Sequence, residues 1–257
     1  MPASKFVWYE LMTTDPAAAE KFYDSVVGWT SKDAGMGDEL GYTLLQVGDT
    51  QVAGVMGYPA ELKGSGIPPN WSGYIGVDDV DAMAERVRAA GGQVRRPGED
   101  IPGIGRFAVV ADPQGAVFLL FRGAGDPPPP LPAGTPGTVG WHELATTDWH
   151  KAFDFYSSLF GWTKGEAMDM GPMGTYQLFE IDGVPCGGMM NKMEQQPMAA
   201  WLYYFNVAEI HSTVERIKAG GGQVIHGPAQ VPGGSWIVNG IDAQGAFFAV
   251  VAPGTPA

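Results

Sequence analysis

Two glutamates of this chain stand in matching surroundings: Trp8-Tyr9-Glu10-Leu11 and Trp141-His142-Glu143-Leu144. In each, the carboxylate lies two residues beyond a tryptophan, so on a strand both side chains point to one face. A carboxylate against an aromatic wall is a candidate general base or ligand anchor, because desolvation raises its pKa toward the range useful for proton transfer. The competing reading is a buried glutamate satisfied by backbone amides or a tyrosine hydroxyl and kept for packing. Either way a partner is required, since an unpaired buried carboxylate is too costly.

The elements that must position these residues are written twice. Residues 8–30 and 141–163 align with an offset of 133 and agree at 13 of 23 positions. The echo resumes with an offset of 130: GGQV at 91–94 returns at 221–224, and DPQGAVF at 112–118 returns as DAQGAFF at 242–248. A repeat is a statement about architecture. It predicts one domain over 1–122, a linker over 123–138 and a second domain over 139–257, each domain large enough for its own core. The linker carries four consecutive prolines and reads as a semi-rigid spacer.

Within the first copy, Phe6 to Thr13 reads as a strand and Asp15 as a helix cap, with Pro16 at the first helical position. Ala19, Phe22, Tyr23 and Val26 form one apolar helical face, and Gly28 ends the helix. Strands follow at Tyr42–Val47 and Val52–Tyr58. The scheme then restarts with a strand at Trp71–Val77, a helix capped by Asp78 or Asp79 and ended by Gly91-Gly92, and strands near Gln93, Phe107–Ala111 and Ala116–Phe121. The second copy repeats this, with caps at Asp148 and near Glu209. The fold class is α+β: four βαβββ modules whose curved mixed sheets surround clefts. Four modules in one chain complete two clefts, so a monomer or weak homo-oligomer is expected.

The 257 residues hold 15 basic and 28 acidic side chains, a net charge of −13, which disfavours nucleic acid and anionic membrane surfaces as partners. The one cysteine excludes an intramolecular disulfide and a Cys-rich metal site. No apolar run is long enough to span a membrane and the N-terminus lacks a signal-peptide core, so a cytoplasmic protein is the expectation. His142 falls on the opposite parity to Glu143 and reads as packed. His150 reads as exposed, and His211 and His226 lack ligand spacing. Cys186 and the methionines near 189–198 read as core. GMGDELG at 35–41 lacks the strand-to-helix context of a phosphate loop, and no cofactor is expected.

Several motifs carry a resemblance: FYxxxxGW ending a helix (Phe22, Tyr23, Gly28, Trp29; Phe155, Tyr156, Gly161, Trp162), the Val-Asp-Asp-Val-Asp run at 77–81, Ala-Gly-Gly at 90–92 and Asp-Pro-x-Gly at 112–115. Together they resemble the vicinal oxygen chelate superfamily, which includes glyoxalase I, bleomycin-resistance proteins, fosfomycin-resistance enzymes and extradiol dioxygenases. The resemblance covers nearly everything outside the linker and implies two glyoxalase-like domains. It also implies divalent-metal ligands at six strand positions, which here are Trp8, Ser72 and Leu119 in the first copy and Trp141, Leu202 and Ala249 in the second. Five of these cannot ligate and serine is a poor ligand. The resemblance therefore transfers the fold without the metal chemistry, and no metal site is expected.

If those positions face the cleft, strand parity adds Glu10 and Met12, Tyr74, Phe121, Glu143, Tyr204, Asn206 and Phe247 to Trp8 and Trp141. Tyr42 and Tyr176 match between the copies and join the candidate lining. Arg106 against Trp236, in the PGIGR and PGGSW loops, is the sharpest chemical difference between the halves; it predicts a difference in ligand preference or ordinary loop drift. Metal-free members of the superfamily bind their ligands without transforming them. The expected function is accordingly metal-independent binding of a small amphipathic or aromatic molecule in an aromatic-lined cleft. The alternatives are a glyoxalase-like lyase, isomerase or hydroxylase using Glu10 or Glu143 as general base, and a non-catalytic scaffold with vestigial clefts.

Overall fold

A computed structural model describes residues 4–35, 41–127 and 129–254, so most of the glycine-rich segment at 35–41 lies outside the described residues. The first copy runs β1 (Phe6–Thr13), α1 (Pro16–Val27), β2 (Thr30–Asp33), β3 (Thr43–Val47), β4 (Thr50–Gly57), β5 (Asn70–Gly76), α2 (Val80–Ala89), β6 (Gln93–Ile101), β7 (Gly105–Ala111) and β8 (Val117–Gly123). The second runs β9 (Val139–Thr146), α3 (Trp149–Phe160), β10 (Thr163–Asp169), β11 (Thr175–Ile181), β12 (Val184–Asn191), β13 (Ala200–Asn206), α4 (Ile210–Ala219), β14 (Gln223–Gln230), β15 (Trp236–Ile241) and β16 (Phe247–Ala252). This is βαβββ four times over. Each copy forms one eight-stranded mixed sheet, in the orders β2-β3-β4-β1-β5-β8-β7-β6 and β10-β11-β12-β9-β13-β16-β15-β14. Neither is a closed barrel, and the α+β class expected from the sequence is observed. Among the described residues no helix is long and apolar enough to cross a membrane.

The helices begin and end where their caps dictate. Asp15 accepts from Ala18 N, and Asp148 accepts from His150 N and Lys151 N, satisfying amides that have no partner inside the helix. Glu209 caps α4 by accepting from His211 N and Ser212 N, and these bonds hold its carboxyl down at about 2. Gly28 (φ 90°) and Gly161 (φ 75°) stop α1 and α3 in the left-handed conformation that a side chain disfavours. β2, sequence Thr-Ser-Lys-Asp, is an edge strand exposed along its whole length, so it has no apolar alternation by which it could be read beforehand.

While the sheets follow the two copies, the compact units interleave them. One unit comprises Met1–Trp8, Ser72–Pro128 and His142–Leu202; the other comprises Tyr9–Trp71, Pro129–Trp141 and Tyr203–Ala257. The second unit is thus built around α1 of the first copy and α4 of the second, and the first unit around α2 and α3.

Each unit has the same hydrogen-bonded relay at its centre. In the second unit, Trp71 Nε1–H donates to Tyr23 Oη (2.8 Å), and the Tyr23 hydroxyl donates to Asp242 Oδ2 (3.0 Å). Asp242 Oδ1 in turn accepts from Gln244 N and Ala246 N, closing the Asp-Ala-Gln-Gly turn. In the first unit, Trp201 Nε1–H donates to Tyr156 Oη (3.0 Å), Tyr156 donates to Asp112 Oδ2 (3.2 Å), and Asp112 Oδ1 accepts from Gln114 N and Ala116 N. Every participant is buried. Burial, reinforced by Asp242, keeps the Tyr23 phenol protonated well above its usual pKa, and burial pushes the Asp112 carboxyl up against its hydrogen bonds.

The tryptophans of the same motif tie down backbone. Trp29 Nε1–H donates to Gly137 O (2.7 Å), and Trp162 Nε1–H donates to Ser4 O (2.6 Å). The C-terminal end of the proline-rich linker is therefore fixed in the second unit. Gly137 (φ 89°) lies against the Trp29 indole, where a Cβ would have no space.

His142, at the position of Tyr9 in the first copy, is buried as its parity predicts. It stacks on Phe6 (centroids 4.3 Å apart, 11° between planes), and its Nδ1–H donates to Cys186 O (2.8 Å). Burial lowers its pKa to about 4.

Two stability predictions follow from these contacts. Tyr23→Phe strands both the Trp71 indole N–H and the Asp242 carboxylate, and a loss of about 2–3 kcal/mol is expected in urea denaturation. Combined with Asp242→Asn, the loss should fall well short of additive, because both changes break one network; full additivity would show that the relay does not exist. For His142, the native state binds its proton less tightly than the unfolded chain, where the pKa is near 6.5. Its contribution is therefore fully present above pH 6.5 and is lost as pH falls toward about 4. His142→Tyr should flatten the fall in stability between pH 7 and pH 5 by about 2 kcal/mol relative to the parent chain, and equal slopes would contradict the assignment.

Candidate functional site

In the first unit, β9 alternates from His142 onward: Glu143 and Ala145 are half-buried while His142, Leu144 and Thr146 are buried. Glu143 is in register with Gly188 of the neighbouring parallel strand β12. Tyr176, near the start of β11, lies over Gly188, its ring and hydroxyl occupying the volume that any side chain there would need. From this position its hydroxyl donates to Glu143 Oε2 at 3.1 Å. The tyrosine is buried and the glutamate half-buried, so the hydrogen-bonded pair stands at a partly desolvated surface. Such a pair can accept a hydrogen bond or a proton from a ligand hydroxyl, with the phenol compensating charge on the carboxylate.

The second unit repeats the scaffold. Glu10 on β1 is in register with Gly54 of β4, and the Tyr42 ring and hydroxyl fill the space above Gly54. Glu10 and Tyr42 are both half-buried. Gly54 and Gly188 were not among the candidate residues, although both copies hold them at the offset of 134 that also relates Tyr42 to Tyr176. The shared offset was the available signal: a glycine facing a tyrosine between copies marks a place where a ring must lie on backbone.

The remaining candidates disperse. Trp8 and Met12 are half-buried on β1, on the same parity as Glu10. Tyr74 is buried, in register with Leu119, and its ring meets Phe121 edge to face at 6.0 Å. Tyr204 is buried in register with Ala249, and Asn206 Nδ2 donates to Thr138 Oγ1 (2.9 Å), joining the end of β13 to the segment before β9. Phe247, at the first position of β16, is 59% exposed.

Arg106 is committed to structure. Its guanidinium binds Asp81 through Nε (2.8 Å) and Nη2 (3.0 Å), Asp100 through Nη1 (2.9 Å) and Gly98 O through Nη2 (2.9 Å). These bonds hold the Asp81 carboxyl below its ordinary range. In the second copy Trp236 replaces Arg106 and His211 replaces Asp81, and the two rings meet at 5.5 Å. An ion pair in one copy has become an aromatic pair in the other, so the difference visible in the sequence is a matched exchange of partners.

The donor set does not suit a divalent cation at the superfamily's ligand positions. Trp8, Ser72, Leu119, Trp141, Leu202 and Ala249 offer one serine hydroxyl between them. Among the described residues no group of three or more His, Cys, Asp or Glu side chains converges elsewhere.

Comparison with known proteins bears on the fold and the two copies together. The sequence model of the Glyoxalase/Bleomycin resistance protein/Dioxygenase superfamily matches residues 5–120 and 138–245. A Mycobacterium tuberculosis protein named "Putative glyoxylase CFP32" is 34% identical over 247 residues, covering 96% of this chain and 94% of its own length. The anthracycline biosynthesis protein DnrV of Streptomyces peucetius is 34% identical over 259 residues, covering 95% and 91%. Among solved structures, the Mn(II)-bound glyoxalase of Novosphingobium aromaticivorans superposes with a TM-score of 0.67 at 14% identity, covering 98% of this chain and 82% of that one. An extradiol ring-cleaving dioxygenase from B. fuscum superposes with a TM-score of 0.68 at 16% identity, covering 99% and 74%. At these identities the structural likeness establishes the fold alone. The sequence match over both copies establishes the family, and the chain belongs to the glyoxalase/bleomycin resistance protein/dioxygenase superfamily.

Proposed function

We propose that this protein binds a small aromatic or amphipathic molecule without a metal ion, using the Glu143–Tyr176 pair as its polar anchor and, by the same scaffold, Glu10 with Tyr42. The observation that carries the reading is the hydrogen bond from Tyr176 to Glu143 on the half-buried face of β9. That face suits a flat ligand, because Ala145 follows the carboxylate by one strand repeat without bulk. The six positions where relatives in the superfamily hold a metal lack the donors for one, so the ligand must be oriented by hydrogen bonding and ring contacts. The similarity to a protein named for anthracycline biosynthesis is in keeping with an aromatic ligand class.

The glyoxylase name of other relatives supports a second reading, in which Glu143 or Glu10 moves a proton on a bound carbonyl compound. The same pair would serve: the carboxylate as base, the phenol as the group that positions it.

The probe for the first reading is 1,4-dihydroxyanthraquinone, followed by quenching of tryptophan fluorescence. Glu143→Gln should weaken binding by roughly 10- to 100-fold, the worth of a charge-assisted hydrogen bond. Tyr176→Phe should weaken it by roughly 3- to 10-fold. Unchanged affinity in the Glu10→Gln, Glu143→Gln double variant would remove both carboxylates from the site. The second reading is tested by turnover of the methylglyoxal–glutathione hemithioacetal, which the same double variant should abolish; turnover equal to that of the parent chain would exclude both glutamates from the chemistry.

A further inference from the structure

The second unit contains an open surface groove of about 610 Å³ that none of the candidate residues lines. It lies where the C-terminal ends of β1 and β4 meet the loop that follows β4, with Pro16, Gly57, Tyr58, Leu62, Lys63 and Ile67 in its wall. The volume is within the range of small-molecule sites.

The two copies differ here in a concerted way. The offset between them falls from 134 (Gly54 to Gly188) to 130 (Trp71 to Trp201) across this segment, so the first copy carries four additional residues in the loop. Pro16 and Gly57 of the first copy correspond to Trp149 and Asn191 of the second. There Trp149 is buried, its amide donates to Asn191 Oδ1 (3.0 Å), and Lys192 Nζ donates to Gln196 O (2.7 Å), tying the shorter loop down. Proline has no amide to donate and glycine no side chain to accept, so the first copy cannot make that bond. Its longer loop instead folds on itself through Tyr58, whose hydroxyl donates to Ile67 O (2.9 Å), and leaves the groove open.

The chemistry of the wall is equally particular. Its apolar part is formed by prolines, Leu62, Ile67 and the Tyr58 ring, the rest by Thr14 and glycine backbone, with Lys63 as the one charged residue of the lining among the described residues. Lys63 makes no ion pair among the described residues, and Ile67 is 44% exposed. In a chain of net charge −13, a lone ammonium beside an apolar wall favours a ligand with one negative charge and an apolar body.

From this we infer that the groove is a second, separate binding site for a small apolar monocarboxylate whose carboxylate pairs with Lys63. The inference does not depend on the Glu143–Tyr176 reading.

The test uses the full chain, uniformly labelled with ¹⁵N and titrated with 2-naphthoate. Saturable shifts are expected at the amides of Gly57, Lys63 and Ile67. Lys63→Met, a change at an exposed side chain, should weaken binding at least tenfold, as should replacing the probe by neutral 2-naphthalenemethanol. The Pro16→Trp, Gly57→Asn variant, which installs the second copy's pair, should abolish the shifts. Its fold is checked by whether the amide spectrum elsewhere is retained; if it is not, the Lys63→Met and neutral-probe comparisons decide. Affinity indifferent to both Lys63→Met and the loss of probe charge would overturn the inference. So would shifts confined to the amides around Tyr176 and Gly188, which would instead support the anchor site proposed above.

Discussion

The structure depends on a tyrosine hydroxyl that holds two buried groups at once. Tyr23 accepts from the Trp71 indole and donates to Asp242, and Tyr156 does the same between Trp201 and Asp112. In both cases the carboxylate belongs to the other copy of the repeat. A buried carboxylate without partners would be ruinous, and here each oxygen is committed, one to the phenol and one to two amides of its own turn. The consequence is architectural. The helix that carries the tyrosine and the turn that carries the aspartate must fold together, so each compact unit takes one module from each copy.

This gives the repeated motifs a physical meaning. Tyr and Trp of FYxxxxGW are the donors of the relay and of the backbone ties at Gly137 and Ser4; Gly ends the helix; Phe22 packs edge-on against Phe248. None of these residues is at the Glu–Tyr pairs. The strongest family signal in the sequence therefore specifies the core, and function must be sought where side chains stand half-exposed. There the copies keep some arrangements and exchange others in matched pairs: Arg106 with Asp81 for Trp236 with His211, and Pro16 with Gly57 for Trp149 with Asn191. The first exchange keeps a contact and changes its chemistry, whereas the second gives the contact up.

The fold class was legible from the repeat, the helix caps and the glycine stops, because those are local rules that both copies obey. Strand β2 was not, since an exposed edge strand of polar residues has no pattern to read. The interleaving of the units was also hidden: a tandem repeat shows which segments are alike, and says nothing about which copy supplies the partner of a buried polar group. At the candidate site, parity placed Glu10 and Glu143 on half-buried strand faces and the matching of Tyr42 with Tyr176 pointed to their neighbours, whereas Gly54 and Gly188, which make room for the rings, went unnoticed. The pairing of Arg106 with Asp81 and Asp100 was not legible, because contacts between separate elements leave no local pattern.

The functional proposal is that the Glu143–Tyr176 pair, and Glu10 with Tyr42, anchor the ligand without a divalent ion. The most direct measurement is ¹³C NMR of the chain labelled at glutamate Cδ, titrated with Mn(II), whose paramagnetism broadens any carboxylate it binds. The account predicts that one equivalent of Mn(II) leaves the Glu10 and Glu143 resonances no broader than those of exposed glutamates such as Glu61 and Glu85. Selective loss of either resonance at one equivalent would contradict it.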